Sequence, residues 1–103
     1  MSLMEKLLEI AAENIKGMEK EEAIYWLDND AVPEYGSVSG LIYYDETEAI
    51  AKEHFSEILK LMKEIGIACP TSFDVNDMAW FAWSYLILGN GKEVYNSIIE
   101  KKY

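Results

Sequence analysis

The sequence predicts an all-α fold, a compact bundle of four to five helices forming one domain over residues 1–103. Three observations lead there. Apolar residues recur at alternating spacings of four and three along two segments, which marks one face of a helix. Acids and serines stand where helices start, and glycines where they end. Strand-like composition is confined to Leu41–Tyr44, with no convincing partner strand elsewhere. A Gly/Ser-rich joint around residues 33–45 interrupts the helices, and a short β-hairpin at 36–44 is the lesser alternative there.

The first helix carries Met4, Leu8, Ala11, Ile15 and Met18 on one face, with Glu, Lys and Asn opposite. Ser2 with Glu5 three residues later forms a capping box, and Gly17 is the stop. The run "EKEE" at Glu19–Glu22 opens a second helix, its acids at the positive end of the dipole. Ala23, Ile24, Trp26 and Leu27 supply its apolar content, and Pro33 ends it at the latest. After the joint, Asp45 and Glu48 have capping-box spacing. One long helix is expected from there to Gly66, with Ala51, Phe55, Ile58, Met62 and Ile65 as its buried stripe. Asp74 or Asn76 caps the next segment, "VNDMAWFAWSYLIL", which is apolar on nearly every face and belongs at the centre. "GNG" at Gly89–Gly91 breaks the pattern, and a last helix places Val94 or Tyr95 with Ile98 and Ile99 on one side. Lys101 and Lys102 suit its C-terminal end.

The formal charge is −10, and it is unevenly spread. Residues 1–30 hold eight acids against three lysines, residues 31–66 seven against three, and residues 67–103 four against three. A field of this sign repels phosphate backbones, so no direct nucleic-acid binding is expected. All nine basic residues are lysines, which removes the bidentate arginine fork. The longest apolar run spans about a dozen residues against the ~20 a membrane helix needs, so no membrane association is predicted. The N-terminus lacks the basic-then-apolar pattern of a signal peptide. One cysteine, Cys69, excludes an internal disulfide and reads as a buried structural thiol in a cytoplasmic protein.

Few residues suggest chemistry. His54 is the only histidine, with Glu53 adjoining and Glu57 one helical turn on. A His–carboxylate pair can ligate a metal or act as a general base. A metalloprotease helix needs two histidines, however, so the plainer reading is a surface or boundary histidine beside incidental acids. Asp28, Asp30 and Glu34 lack the glycine and closing glutamate of a calcium loop and read as helix-end acids. "GSVSG" has the wrong offsets for a nucleophile elbow or a phosphate loop. Gly36 and Gly40 instead turn the chain, while Leu41 and Ile42 seat it on the core. Aromatics crowd two places: Tyr35, Tyr43 and Tyr44 in the joint, and Trp80, Phe81, Trp83 and Tyr85 in the apolar helix. Within that helix Trp80 and Trp83 share a face, as do Phe81 and Tyr85. The candidate binding residues are therefore Tyr35, Ser37, Ser39, Tyr43, Tyr44, Glu53, His54 and Glu57, with no catalytic set, metal or cofactor predicted.

"YGSVSGLIYY" at Tyr35–Tyr44, followed by "NDMAWFAW" at Asn76–Trp83, resembles a pattern in small acidic proteins of phages, plasmids and gut bacteria, a family of unknown function. The likeness covers roughly residues 20–85 and implies a mobile-element setting, with no site residues to carry over. Together these readings predict a non-enzymatic helical interaction protein, an accessory or inhibitory factor with a protein partner. A homodimer burying the apolar C-terminal third, and a small metal-binding or hydrolytic module centred on His54, are the alternatives.

Overall fold

The computed structural model describes residues 1–29, 31–32, 36–37 and 44–100, with the backbone alone at 31–32, 36–37 and 44–47. Ser2 opens α1 (Leu3–Asn14) with the expected capping box: its Oγ accepts from Glu5 N at 3.1 Å and its own N–H donates to Glu5 Oε1 at 3.3 Å. Helix α2 (Lys20–Asn29) follows, then a two-residue antiparallel ladder, β1 (Ala31–Val32) with β2 (Gly36–Ser37). Its register pairs Ala31 with Ser37 and Val32 with Gly36. This ladder shares only residues 36–37 with the hairpin weighed for 36–44; residues 38–43 lie outside the described residues, as do 33–35 of the joint.

Where one long helix was expected, the chain forms two, α3 (Tyr44–Glu53) and α4 (Phe55–Glu64). Helix α3 starts at Tyr44, so Asp45 sits in its first turn rather than capping it. The break is one residue wide, at His54 with φ −113° and ψ 25°. On both sides the hydrogen bonding continues, from His54 N to Ile50 O at 2.9 Å and from Ile58 N to His54 O at 3.0 Å. Its physical reason lies in the buried set, which is Ile50, Ala51, His54, Ile58 and Met62. At 100° per residue, Ile50 and Met62 point about 120° apart on a straight helix. The break at His54 divides that drift, turning the imidazole inward and leaving Phe55 and Ile65 of the expected stripe each 40% exposed. Gly66 ends α4 at φ 92° in a Schellman motif, with Ile67 N on Met62 O at 3.0 Å and Gly66 N on Lys63 O at 3.1 Å.

The connector contains a 3₁₀ turn, η1 (Pro70–Ser72), in which Pro70 is buried. Cys69 beside it is exposed, contrary to the buried thiol expected, because the proline takes the inward position. Asp74 caps α5 (Val75–Leu86) by accepting from Asp77 N at 2.8 Å. The last helix is α6 (Gly91–Ile99), which buries Val94 and leaves Ile99 on the solvent side.

Helices α3 and α5 pack along each other, as do α2 and α6; α1 lies on α6 and α4 on α5. The buried side chains form one continuous cluster. Within it Trp26 from α2 and Trp83 from α5 meet edge-to-face, with centroids 6.1 Å apart and planes at 71°. Neither indole Nε1 has a hydrogen-bond partner among the described residues. Burying roughly 150–250 Å² of each ring is worth about 4–6 kcal/mol, which outweighs the ~1–3 kcal/mol of an unpaired donor. Among the described residues no helix is long and apolar enough to cross a membrane.

Candidate functional site

Of the eight candidate residues, the structure brings three together. His54 ends up buried, at 3% exposure, which corrects its reading as a surface or boundary residue. Its Nδ1–H donates to Glu57 Oε1 at 3.1 Å, since an ionised carboxylate can only accept. The other carboxylate oxygen of Glu57 accepts from the backbone N–H of Leu3, at 3.2 Å. Leu3 is the first residue of α1, so Glu57 satisfies one of the donors that a helix start leaves open. The hydrogen bond from His54 holds the Glu57 carboxyl below its ordinary value; burial opposes this, and the Leu3 N–H and the chain's amino group reinforce it. One glutamate thus ties the start of α4 to the start of α1.

Glu53 stands on the other side of the ring, its Oε1 3.8 Å from His54 Nε2 and its side chain largely exposed. Nε2 has no hydrogen-bond partner among the described residues. A hydrolytic or metal role needs a substrate or ion at that nitrogen, and the ring is packed away from solvent. Among the described residues no group of three or more His, Cys, Asp or Glu side chains is placed to hold a metal. What the geometry accomplishes is a structural tie.

The joint residues are placed in part. Ser37 lies in β2 opposite Ala31 and Tyr44 is the first residue of α3, both described by their backbone alone. Tyr35, Ser39 and Tyr43 lie outside the described residues, as do Gly40, Leu41 and Ile42.

A second feature begins on α5 and reaches the tie itself at Leu3 and Glu57. Phe81 and Tyr85, one turn apart on α5, stack with centroids 5.9 Å apart and planes at 14°, and Tyr85 is 48% exposed. Tyr85 opens onto a recess of about 530 Å³ lined also by Met4, Leu86 and Val94 and by the polar Asn90, Glu93 and Ser97. Met4 and Leu86 continue into a second recess of about 300 Å³, whose lining adds Leu3, Leu61, Glu57 and Glu64. The i,i+4 spacing of Phe81 and Tyr85 was legible in the sequence. Met4 and Val94 reach this groove from helices far apart in the chain, and no local pattern signals that.

Compared with protein-family models, curated proteins and solved structures, the chain matches none. Fold and site together define a small acidic all-α domain, with a buried His–Glu tie and an aromatic-edged groove.

Proposed function

We propose that the protein is a non-enzymatic interaction domain, an accessory or inhibitory factor of a mobile element, working in the cytoplasm on a protein partner. The observation that carries this reading is the Phe81–Tyr85 stack, which presents a half-exposed tyrosine at the edge of a groove with a mixed apolar and polar lining. Tyrosine in such a setting supplies a large contact area at low entropic cost, and aromatic anchors dominate binding energies at interfaces. The net charge of −10 supports a basic partner surface and opposes a nucleic acid.

The test is affinity capture with the immobilised protein and with Tyr85→Ala, at low and high salt. A partner held by the wild type should be lost with Tyr85→Ala and weakened by salt. Equal capture by both proteins at all salt concentrations would refute the reading. A second arm replaces Glu19, Glu21 and Glu22 by Lys; unchanged capture assigns the binding to the aromatic groove rather than to α2.

The metal-binding or hydrolytic alternative has one observation in its favour, the His54–Glu57 hydrogen bond with Nε2 left unpartnered among the described residues. Burial of the ring weighs against it. Elemental analysis of the purified protein decides it: stoichiometric metal that His54→Gln abolishes would displace the interaction reading.

A further inference from the structure

We infer that the two-lobed groove between α1, α4, α5 and α6 takes a short amphipathic segment of the partner, apolar on one face and lysine- or arginine-rich beside it. The inference rests on the interaction reading above and names the partner's chemistry.

Three properties of the groove lead to it. The two recesses share Met4 and Leu86, so they are neighbours. Each is large enough for an apolar side chain, which suits two anchors on one face of a helix. Met4 at their junction is half-buried and unbranched, a side chain that adapts its shape to what it meets. The charges beside these apolar positions are mostly negative. Glu93 lies at the first recess, and Glu57, Glu64 and Lys60 at the second. Glu57 and Glu64 are seven residues apart on α4, hence on one side of it and about 10 Å apart along its axis. Glu57 is held by His54 and Leu3, but Glu64 and Glu93 form no ion pair among the described residues. A surplus of carboxylates over Lys60 among the described residues of the groove favours an occupant that brings positive charge.

The same charges argue against a second copy of this chain. A two-fold contact would set two grooves that each hold more carboxylates than lysines against one another, between molecules that each carry −10. A basic segment instead gains from that field before contact, by faster encounter.

The experiment follows amide resonances of the full-length, isotope-labelled protein as two synthetic peptides are added. One is an amphipathic helix of about 14 residues (roughly four turns) with leucines on one face and lysines elsewhere. The other carries glutamate at every lysine position. The lysine peptide should move the resonances of Met4, Leu86 and Val94, and the glutamate peptide should move none. Affinity should fall steeply between about 0.01 and 0.15 M salt, as the Debye length shrinks from about 30 to 8 Å. The double variant Glu64→Lys with Glu93→Lys should bind the lysine peptide about tenfold more weakly. Should that variant lose helical structure, Glu64→Lys alone, at an exposed position, gives a severalfold reading in the same direction. Shifts gathered around Glu21, Glu22 and Tyr25 instead would overturn the groove assignment and leave the interaction reading standing. Absence of any shift also overturns it, and the interaction reading then stands or falls by the Tyr85→Ala capture. A dimer by sedimentation that Tyr85→Ala dissociates gives the groove to a second copy and overturns the inference.

Discussion

Replacing Gly91 by alanine should destabilise the protein, although alanine is the better helix former. Gly91 is the first residue of α6, is buried, and donates its N–H to Asp28 Oδ1 at 2.6 Å. A Cβ there would lie 2.5 Å from Ile24 O, 2.6 Å from Asp28 Oδ1 and 2.8 Å from Asp28 Cγ. Asp28 can rotate away, but the Ile24 carbonyl is α2 backbone and cannot. The helix must therefore back off α2, or Asp28 must release its hydrogen bond. Overpacking of this kind costs about 1–3 kcal/mol. Loss of a charged hydrogen bond adds ~1.5–3 kcal/mol, and the gain in helix propensity returns at most about 1. The net expectation is a loss of roughly 2–4 kcal/mol, or a melting temperature lower by 10 °C or more, on the order of 4–8 °C per kcal/mol. Urea unfolding followed by tryptophan fluorescence measures it, since Trp26 and Trp83 are both fully buried reporters. Asp28→Ala, which loses that same hydrogen bond, should cost about 1.5–3 kcal/mol. In the double variant two of the three crowding atoms are gone, so its cost should fall below the sum of the singles. A Gly91→Ala protein as stable as the wild type, or more so, would show that α6 does not seat on α2 as described.

Three further expectations test other parts of the fold. Glu57 has a folded-state carboxyl below its ordinary value, so the stability it contributes is present above about pH 4.5 and is lost as pH falls through the lower folded value. Melting curves between about pH 2 and 6 should accordingly show a shallower acid loss for Glu57→Gln than for the wild type; parallel curves would remove the tie to His54 and Leu3. Trp83→Ala should cost about 3–5 kcal/mol in chemical denaturation, and a cost under 1 kcal/mol would place the indole outside the core. Gly66→Ala should lose about 1 kcal/mol despite open space around it, because its φ of 92° is disfavoured for alanine.

The all-α class was legible because its signals are local. Ser2–Glu5 and Asp74 cap within three residues, and Gly17, Gly66 and Gly89, all at positive φ, mark ends where they stand in the chain. The break at His54 left no such mark: histidine is no helix breaker, and the stripe Ala51–Ile65 runs through it in good register. His54 is buried there with Ile50 and Met62, a placement that spacing alone does not reveal. Glu53, His54 and Glu57 were grouped correctly by spacing, yet the purpose of Glu57 depends on Leu3, 54 residues away. Asp28 was read as a helix-end acid before a proline, and its partner is 63 residues off. Long-range hydrogen bonds to backbone N–H carry no side-chain signature at the receiving end, so no sequence pattern could have found either.

Asp28 holds α6 twice, through its side chain on Gly91 N and through its backbone carbonyl on Gly89 N at 3.2 Å. A helix of nine residues is too short to persist alone in water, where about 12–15 are marginal. The last helix therefore depends on the helices it packs on, α2 foremost. The two should behave as one cooperative unit in native-state hydrogen exchange, their amides opening together, although most of the chain lies between them.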